Sequence, residues 1–332
     1  MNRHLYNIKK TFTFKRMINF LKIYISFYLS LILKKPVVWG YPLIMMIEPT
    51  NICNLGCPLC YTVMKIKNER GYMDFELYKK IIDEVAPYSI GIQIIGQGES
   101  FLHKEILKMI AYATEKKMYT YIATNGNVSI NESELVNSGL DTLAFSIDGA
   151  TQETYCQYRV NGSLDKALTF LKNVNEAKKQ TKSFIPKIIW DFLLFKHNEH
   201  EIESVKKMAD ICEADELRIK PIVIRTKDQI NAFLPTDPKY RRYRDIDTEL
   251  KMKKKIKNKC KSIWKTIAVN WNGEMTVCCK DKKDNEPKIK IGNVTEKTLY
   301  ELWKSTDFMN FRKNILENKS QFEICNNCFA RD

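Results

Sequence analysis

Three cysteines, Cys53, Cys57 and Cys60, stand within eight residues in the spacing C-x3-C-x2-C. Clustered thiols in a chain without a disulfide framework are metal ligands or catalytic groups more often than packing residues. The apolar run Leu43 to Ile47 precedes them and predicts a buried strand, and Asn51, Asn54, Gly56 and Pro58 break any regular element after it. The thiols therefore belong on a loop at the end of a core strand, where their sulfurs can converge. A [4Fe–4S] cluster takes four cysteine thiolates, so three would leave one iron open to a substrate or cofactor. Zinc is the competing reading, but structural zinc is usually closed by two pairs of ligands. No matching Cys or His pair follows within zinc-finger distance.

A second group lies towards the C-terminal end. Cys260, Cys278 and the pair Cys325-x2-Cys328 have a spacing that could ligate another cluster in full, with the adjacent Cys279 as a substitute for Cys278. A zinc ribbon is the alternative for this group. The two remaining cysteines are Cys156 and Cys212, and Cys212 falls on an apolar helix face. The four histidines show no ligand spacing, and His103 reads as a helix-start residue.

The elements that must position these groups are marked by periodicity. Strand patterns at 43–48, 90–95, 118–124, 142–147, 187–194 and 217–224 alternate with helical patterns at 74–86, 103–117, 131–138, 163–180 and 199–213. Asp74 predicts an N-cap ahead of the apolar stripe Phe75, Tyr78, Ile81, Ile82 and Val85. Such alternation predicts an α/β fold with a parallel sheet, either doubly wound or an incomplete (β/α)6 barrel. Function in these sheets collects at the carboxyl ends of the strands. There stand Gly96-Gln97-Gly98-Glu99, Thr124-Asn125-Gly126 and Ser146-Ile147-Asp148-Gly149, with Arg159 downstream. Each has an ordinary reading beside a functional one. The glycines allow close backbone approach, Glu99 could cap a helix, Asn-Gly is a frequent turn pair, and Arg159 could be a solvated cation.

After about residue 225 the alternation stops. A loop with Pro235 and Pro238 and a Lys-rich run, 251–261, lead to a β-hairpin over 267–277 that turns at Asn272-Gly273, then to an amphipathic helix near 298–316. The organisation expected is a helical extension over 1–40, a core over 41–225, a linker over 226–259 and a small cysteine-rich α+β module over 260–332.

The cysteine loop resembles that of the radical S-adenosylmethionine (SAM) enzymes, although Leu59 stands where that family usually has an aromatic residue. Gly96, Gly98 and Glu99 are similar to its GGEP-like motif, with Ser100 in place of the proline. The resemblance implies a partial (β/α)6 TIM-like barrel in which Cys53, Cys57 and Cys60 hold a reducible [4Fe–4S] cluster and S-adenosyl-L-methionine completes the fourth iron. It also implies that Gly96, Gly98, Glu99, Asn125, Ser146 and Arg159 line the SAM pocket, Arg159 by pairing with a carboxylate. Cleavage of SAM would give a 5′-deoxyadenosyl radical that abstracts hydrogen from a substrate carbon.

The C-terminal module resembles the SPASM and twitch domains appended to such barrels. The full SPASM pattern has seven cysteines, and here only the opening Cys, Gly273-x4-Cys278 and one Cys-x2-Cys are present. One auxiliary [4Fe–4S] cluster is therefore implied, as electron acceptor in the oxidation of a sugar, cyclitol or peptide. Asp281 is the candidate base or surface-turn residue beside it. An electron donor such as flavodoxin or ferredoxin is the expected partner. Two other readings are an enzyme of a membrane lipid or surface-polysaccharide pathway and a non-catalytic iron–sulfur or zinc-binding interaction protein.

The net charge is +15, but the lysines are scattered, so nucleic acid is not an expected partner. The apolar fraction of 44% is that of a globular chain. Oxygen-sensitive clusters and ten cysteines with no disulfide pattern point to a reducing cytoplasm. Residues 17–33 are apolar between Lys15-Arg16 and Lys34-Lys35, with no small-residue cleavage site after them. Their readings are a helix packed on the barrel, an interfacial helix at the inner face of the membrane, or a short span.

Overall fold

The computed structural model describes residues 3–64, 69–244, 251–253, 255–278, 289–326 and 328. The chain opens with α1 (Arg3–Thr11), α2 (Phe14–Leu33), β1 (Ile44–Ile47), α3 (Tyr61–Met64), α4 (Phe75–Val85), β2 (Gly91–Ile94), α5 (Ile106–Glu115) and β3 (Tyr119–Thr124). It continues through α6 (Glu132–Asn137), β4 (Thr142–Ser146), α7 (Gln152–Tyr158), α8 (Leu164–Gln180), β5 (Lys187–Leu194), α9 (Ile202–Ile211), β6 (Glu216–Pro221) and α10 (Lys227–Phe233). Last come β7 (Tyr243–Arg244), β8 (Lys251–Met252), α11 (Ser262–Lys265), β9 (Thr266–Val269), β10 (Glu274–Thr276), β11 (Lys290–Asn293), α12 (Leu299–Trp303), α13 (Thr306–Asn318) and α14 (Glu323–Asn326).

The chain forms two compact units that interleave along the sequence. The first comprises Met1–Ile52, Lys67–Tyr121 and Ile256–Asp332; the second comprises Cys53–Ile66 and Ile122–Lys255. In the first, β1 pairs in parallel with β2 on one side (Ile44 opposite Gly91) and with β9 on the other (Ile44 opposite Thr266). The C-terminal hairpin thus extends the same sheet: β10 is antiparallel to β9, and β11 to β10. Gly273 takes φ +85° at the hairpin turn, a region that glycine enters without penalty. In the second unit β4, β5 and β6 are parallel, with Ser146 opposite Asp191 and Asp191 opposite Arg218.

The helices form where the sequence pattern puts them. Asp74 accepts from the Leu77 amide at 2.9 Å, and α4 buries Tyr78, Ile81, Ile82 and Val85. Two short elements escape periodicity. α7 begins at Thr151, whose side chain accepts from Thr154 N, and seven residues are too few for a stripe to stand out. The helix expected over 298–316 is two helices, because Ser305 adopts an extended ψ of 152° and its hydroxyl caps Phe308 N. Within the linker lie α10 and the small β7–β8 ribbon.

α2 is inverted in polarity. Arg16, Asn19, Ser26 and Ser30 face the protein, together with Ile23 and Phe27. Asn19 bridges Tyr41 and the carbonyl of Tyr88, and Ser30 bonds both ways to Val37. Arg16 is the strongest link. Its guanidinium donates to the carbonyls of Ala86 (3.0 and 2.8 Å), Lys116 (2.8 Å), Lys117 (2.6 Å) and Thr11 (3.0 Å). Ala86 and Lys116 are the C-caps of α4 and α5, so the cation sits at the negative ends of two helix dipoles. Replacing Arg16 with Met should lower stability by about 2–4 kcal/mol. Denaturant unfolding would show this as a lower midpoint at unchanged slope; an unchanged midpoint would rule the latch out.

Candidate functional site

In the second unit the cysteine loop is pinned at several points. Gly56 N donates to the Val160 carbonyl at 2.9 Å, and Cys60 N turns back onto the Cys57 carbonyl at 3.0 Å. Leu59 is buried in a cluster with Leu55, Cys57, Tyr158, Phe195 and Ile222, so an aliphatic side chain fills the place of an aromatic one. Arg225, a residue that sequence reasoning passed over, donates to the Leu59 carbonyl at 2.9 Å. Cys57 is buried and Cys53 and Cys60 are half-buried, none of them in a disulfide.

Two side chains aim N–H donors at these sulfurs. Asn125 Nδ2 lies 3.8 Å from Cys53 Sγ and donates at 2.9 Å to Asn54, whose amide reaches the Asn127 carbonyl at 2.6 Å. Arg159 Nη1 lies 3.7 Å from Cys57 Sγ, while its Nε donates to Asp148 Oδ2 at 2.6 Å. Burial works against the Arg159 charge, but Asp148 and the Cys57 sulfur overcome it and hold the guanidinium charged well above its ordinary range. Burial likewise pushes the Cys57 thiol up, against the pull of Arg159. A metal that takes the sulfur as thiolate reverses that balance.

Ser146 ends β4 and Asp191 stands beside it on β5, paired with Lys220 on β6. Asp191 Oδ1 is buried without a hydrogen-bond partner. The signal for Asp191 is a lone acid inside the apolar run Ile188 to Leu194.

Gly96, Gly98 and Glu99 belong to the first unit. A Cβ at Gly96 would come within 2.2 Å of Glu48, and one at Gly98 within 2.4 Å of the Ile52 carbonyl oxygen. Gln97 N donates to Glu48 at 2.7 Å, and Glu99 N donates to Ile52 O at 2.8 Å. The glycines thus make room for the loop that leaves β1, and the Glu99 carboxylate accepts from Phe101 N at 3.2 Å. In the same unit Cys260 and Cys325 are buried and Cys278 and Cys328 half-buried, with Cys328 N bonded to the Cys325 carbonyl at 3.2 Å. Cys279 and Asp281 lie outside the described residues.

The donor sets fit iron–sulfur clusters. Both consist of thiols, and N–H groups at cysteine sulfurs are the partners that tune such clusters. Among the described residues, no group of three or more His, Cys, Asp or Glu could hold a single metal ion.

The comparisons agree with this chemistry. A family model described as the radical SAM superfamily matches residues 47–209, and one described as an iron–sulfur cluster-binding domain, SPASM, matches residues 260–329. Over 319 residues the chain is 24% identical to the tungsten-containing aldehyde ferredoxin oxidoreductase cofactor-modifying protein of Pyrococcus furiosus, covering 86% of this chain and 87% of that one. BtrN, solved in complex with AdoMet and 2-DOIA, gives a TM-score of 0.56 at 17% identity, covering 88% of this chain and 94% of its own. SuiB of Streptococcus suis, bound to S-adenosylmethionine, gives 0.63 at 16%, covering 83% and 68%. Identities this low speak for the fold, the α/β partial TIM-like barrel with a mostly parallel sheet. The two domains bring their cofactors with them: a SAM-binding [4Fe–4S] cluster, auxiliary iron–sulfur chemistry and S-adenosyl-L-methionine. The chain belongs to the radical SAM superfamily and carries a SPASM domain at its C-terminal end.

Proposed function

We propose that this radical SAM enzyme holds its SAM-binding cluster on Cys53, Cys57 and Cys60 and an auxiliary [4Fe–4S] cluster on Cys260, Cys278, Cys325 and Cys328. The observation that carries this reading is the pair of donors, Asn125 and Arg159, aimed at the sulfurs of Cys53 and Cys57. When bound, the reduced cluster and S-adenosylmethionine supply one-electron cleavage of a sulfonium and hydrogen abstraction from a substrate carbon.

The chain's own residues orient and insulate. Asp148 fixes Arg159, and Arg159 keeps positive charge at the Cys57 sulfur. The apolar cluster of Leu55, Leu59, Tyr158, Phe195 and Ile222 keeps water from the loop. In the second unit Ser146, Asp191 and Lys220 offer polar groups on neighbouring strands, and Ser146 and Asn125 keep their candidate SAM-contact role; Gly96, Gly98 and Glu99 keep the same candidate role in the first unit. Asp281 remains the candidate base, the group that would take a proton from the substrate.

The substrate class we favour is a small molecule such as a sugar or cyclitol, ahead of a peptide. The chain spans 94% of BtrN, whose complex holds 2-DOIA, and 86% of anSMEcpe and 67% of SuiB, whose complexes hold the Cp18Cys and SuiA peptides, so a peptide stays the second candidate. The likeness over 86% of the chain to a cofactor-modifying protein agrees with a small substrate. A flavodoxin- or ferredoxin-type donor would reduce the first cluster. The second reading, an enzyme of a lipid or surface-polysaccharide pathway, is favoured by the exposed apolar face of α2.

Anaerobic protein in which Cys53, Cys57 and Cys60 are all changed to Ala should retain iron at the auxiliary site and release no 5′-deoxyadenosine. Cys325→Ala with Cys328→Ala should lose part of the iron and still release 5′-deoxyadenosine. Iron and sulfide analysis with product chromatography checks both, and full cleavage by the triple variant would sink the assignment. Changing Arg159 to Met together with Asp148 to Asn removes the sulfur's cationic donor without stranding a buried acid. The SAM-cluster potential should become more negative by roughly 60–130 mV. A redox titration followed by electron paramagnetic resonance reads this, and an unmoved potential would show that Arg159 does not act on the cluster.

A further inference from the structure

We propose that α1 and α2 seat this protein in the plane of an anionic lipid bilayer, a surface role independent of how the cysteine loop is read. Phe14, Met17, Ile18, Leu21, Ile25, Tyr28 and Ile32 recur at helical spacing, and all of them are exposed. Phe14 is 69% exposed and Ile32 76%, whereas Arg16 and Ser30 on the opposite face are 4% and 0% exposed. α1 carries the same pattern in Leu5 and Ile8, and Phe12 just after it is exposed as well. A contiguous apolar stripe of this size marks an interaction surface.

A span is excluded by the inverted polarity. The polar face of α2 is fastened to protein carbonyls through Arg16, Asn19 and Ser30, so only one side of the helix is available to hydrocarbon. A helix with one apolar face lies in the interface, with that face sunk about 5–10 Å.

Charge chooses the occupant. The first 47 residues hold eight Lys and Arg and no Asp or Glu. Lys15 and Lys22 are exposed on α2, Lys9 and Lys10 lie in the last turn of α1, and Lys34 and Lys35 follow α2. A second copy would bring the same positive ring against this one, whereas anionic headgroups neutralise it. The exposed Tyr28 and Trp39 are the aromatic anchors favoured at headgroup depth. Beside the stripe, Ile18, Lys22, Trp39, Tyr41, Tyr88 and Tyr300 line a cavity of about 530 Å³. Lys15 Nζ stands 4.4 Å over the Tyr88 ring there, and Tyr41 stacks between Tyr88 and Tyr300. Lysine amines over an aromatic wall suit a phosphate with an acyl chain alongside.

The full-length holoprotein should sediment with vesicles of phosphatidylcholine containing roughly a third phosphatidylglycerol, and less as salt rises. It should stay in solution with pure phosphatidylcholine. Lys15→Gln and Lys22→Gln should each lower partition about fivefold. Leu21→Asp with Ile25→Asp should abolish it, with the circular dichroism spectrum and 5′-deoxyadenosine release unchanged. Failure of the unaltered protein to bind either vesicle overturns the proposal. So does a dimer in free solution that Leu21→Asp with Ile25→Asp disperses, since the stripe then serves a second copy.

Discussion

One buried ion pair fixes the cationic donor that stands against the cysteine loop. The Asp148 side chain is fully buried, and its two oxygens are taken by Arg159 Nε and by the Leu193 amide at 2.6 Å each. Asn198 grips the same segment from below, donating to the carbonyls of Asp148 (3.0 Å) and Leu193 (2.9 Å). A carboxylate this deep is strongly unfavourable without its cation, so Arg159 has no freedom to swing away. Its remaining donors are held where Cys57 needs them. A cluster ligated by thiolates is an anion in a poorly solvated place, and donors at its sulfurs set how readily it accepts an electron. The acid of the Ser-Ile-Asp-Gly stretch thus works through an arginine eleven residues and one helix further on.

The fold was legible wherever the signal is local. The alternation of strands and helices rests on periods of two and 3.6, and the first five strands agree with the pattern within a residue, whereas the sixth ends at Pro221, three residues before the expected 224. Cysteine spacing is equally local. Contacts made across the chain were not legible. Gly96 and Gly98 read as glycines that admit a ligand, yet the bodies nearest their missing side chains are Glu48, Thr50 and Ile52. Arg159 read as a carboxylate clamp, and nothing in its neighbourhood of sequence announces that Cys57 stands 3.7 Å away. Asp191 left a trace, an acid where the pattern asks for an apolar residue, but its partner Lys220 lies 29 positions on.

The same limit hides the buried cations of the first unit. Arg312 is enclosed by Phe308 at 3.7 Å and Trp303 at 4.2 Å, and it donates to the carbonyls of Ile263 and Trp303. Burial drives its pKa well below the ordinary value, and Nη2 has no partner. Arg16 is likewise answered by carbonyls in place of carboxylates. Both work because helix ends and turns leave carbonyl oxygens that need donors, and a planar fork can serve several at once. On a helical wheel such an arginine looks like a surface residue, which is why α2 reads as an ordinary amphipathic helix with its faces exchanged.

That exchange has a structural consequence for the C-terminal module. α2 and the segment after it are fastened to the part of the first unit that carries the second cysteine group. Phe27 meets Trp264 edge to face at 5.5 Å, four residues beyond Cys260. Trp264 Nε1 donates to the Val37 carbonyl, Trp303 Nε1 to that of Gly40, and Lys304 Nζ to that of Val38. An appendage meant only to tether the protein would need none of these bonds, since a flexible linker carries an anchor equally well. Polar residues turned inward weld the helix to the domain, and the same turn leaves its apolar residues facing out. The outward apolar face therefore has a fixed orientation relative to Cys260 and the hairpin that leads to Cys278, so whatever surface it meets is presented to this unit in one pose.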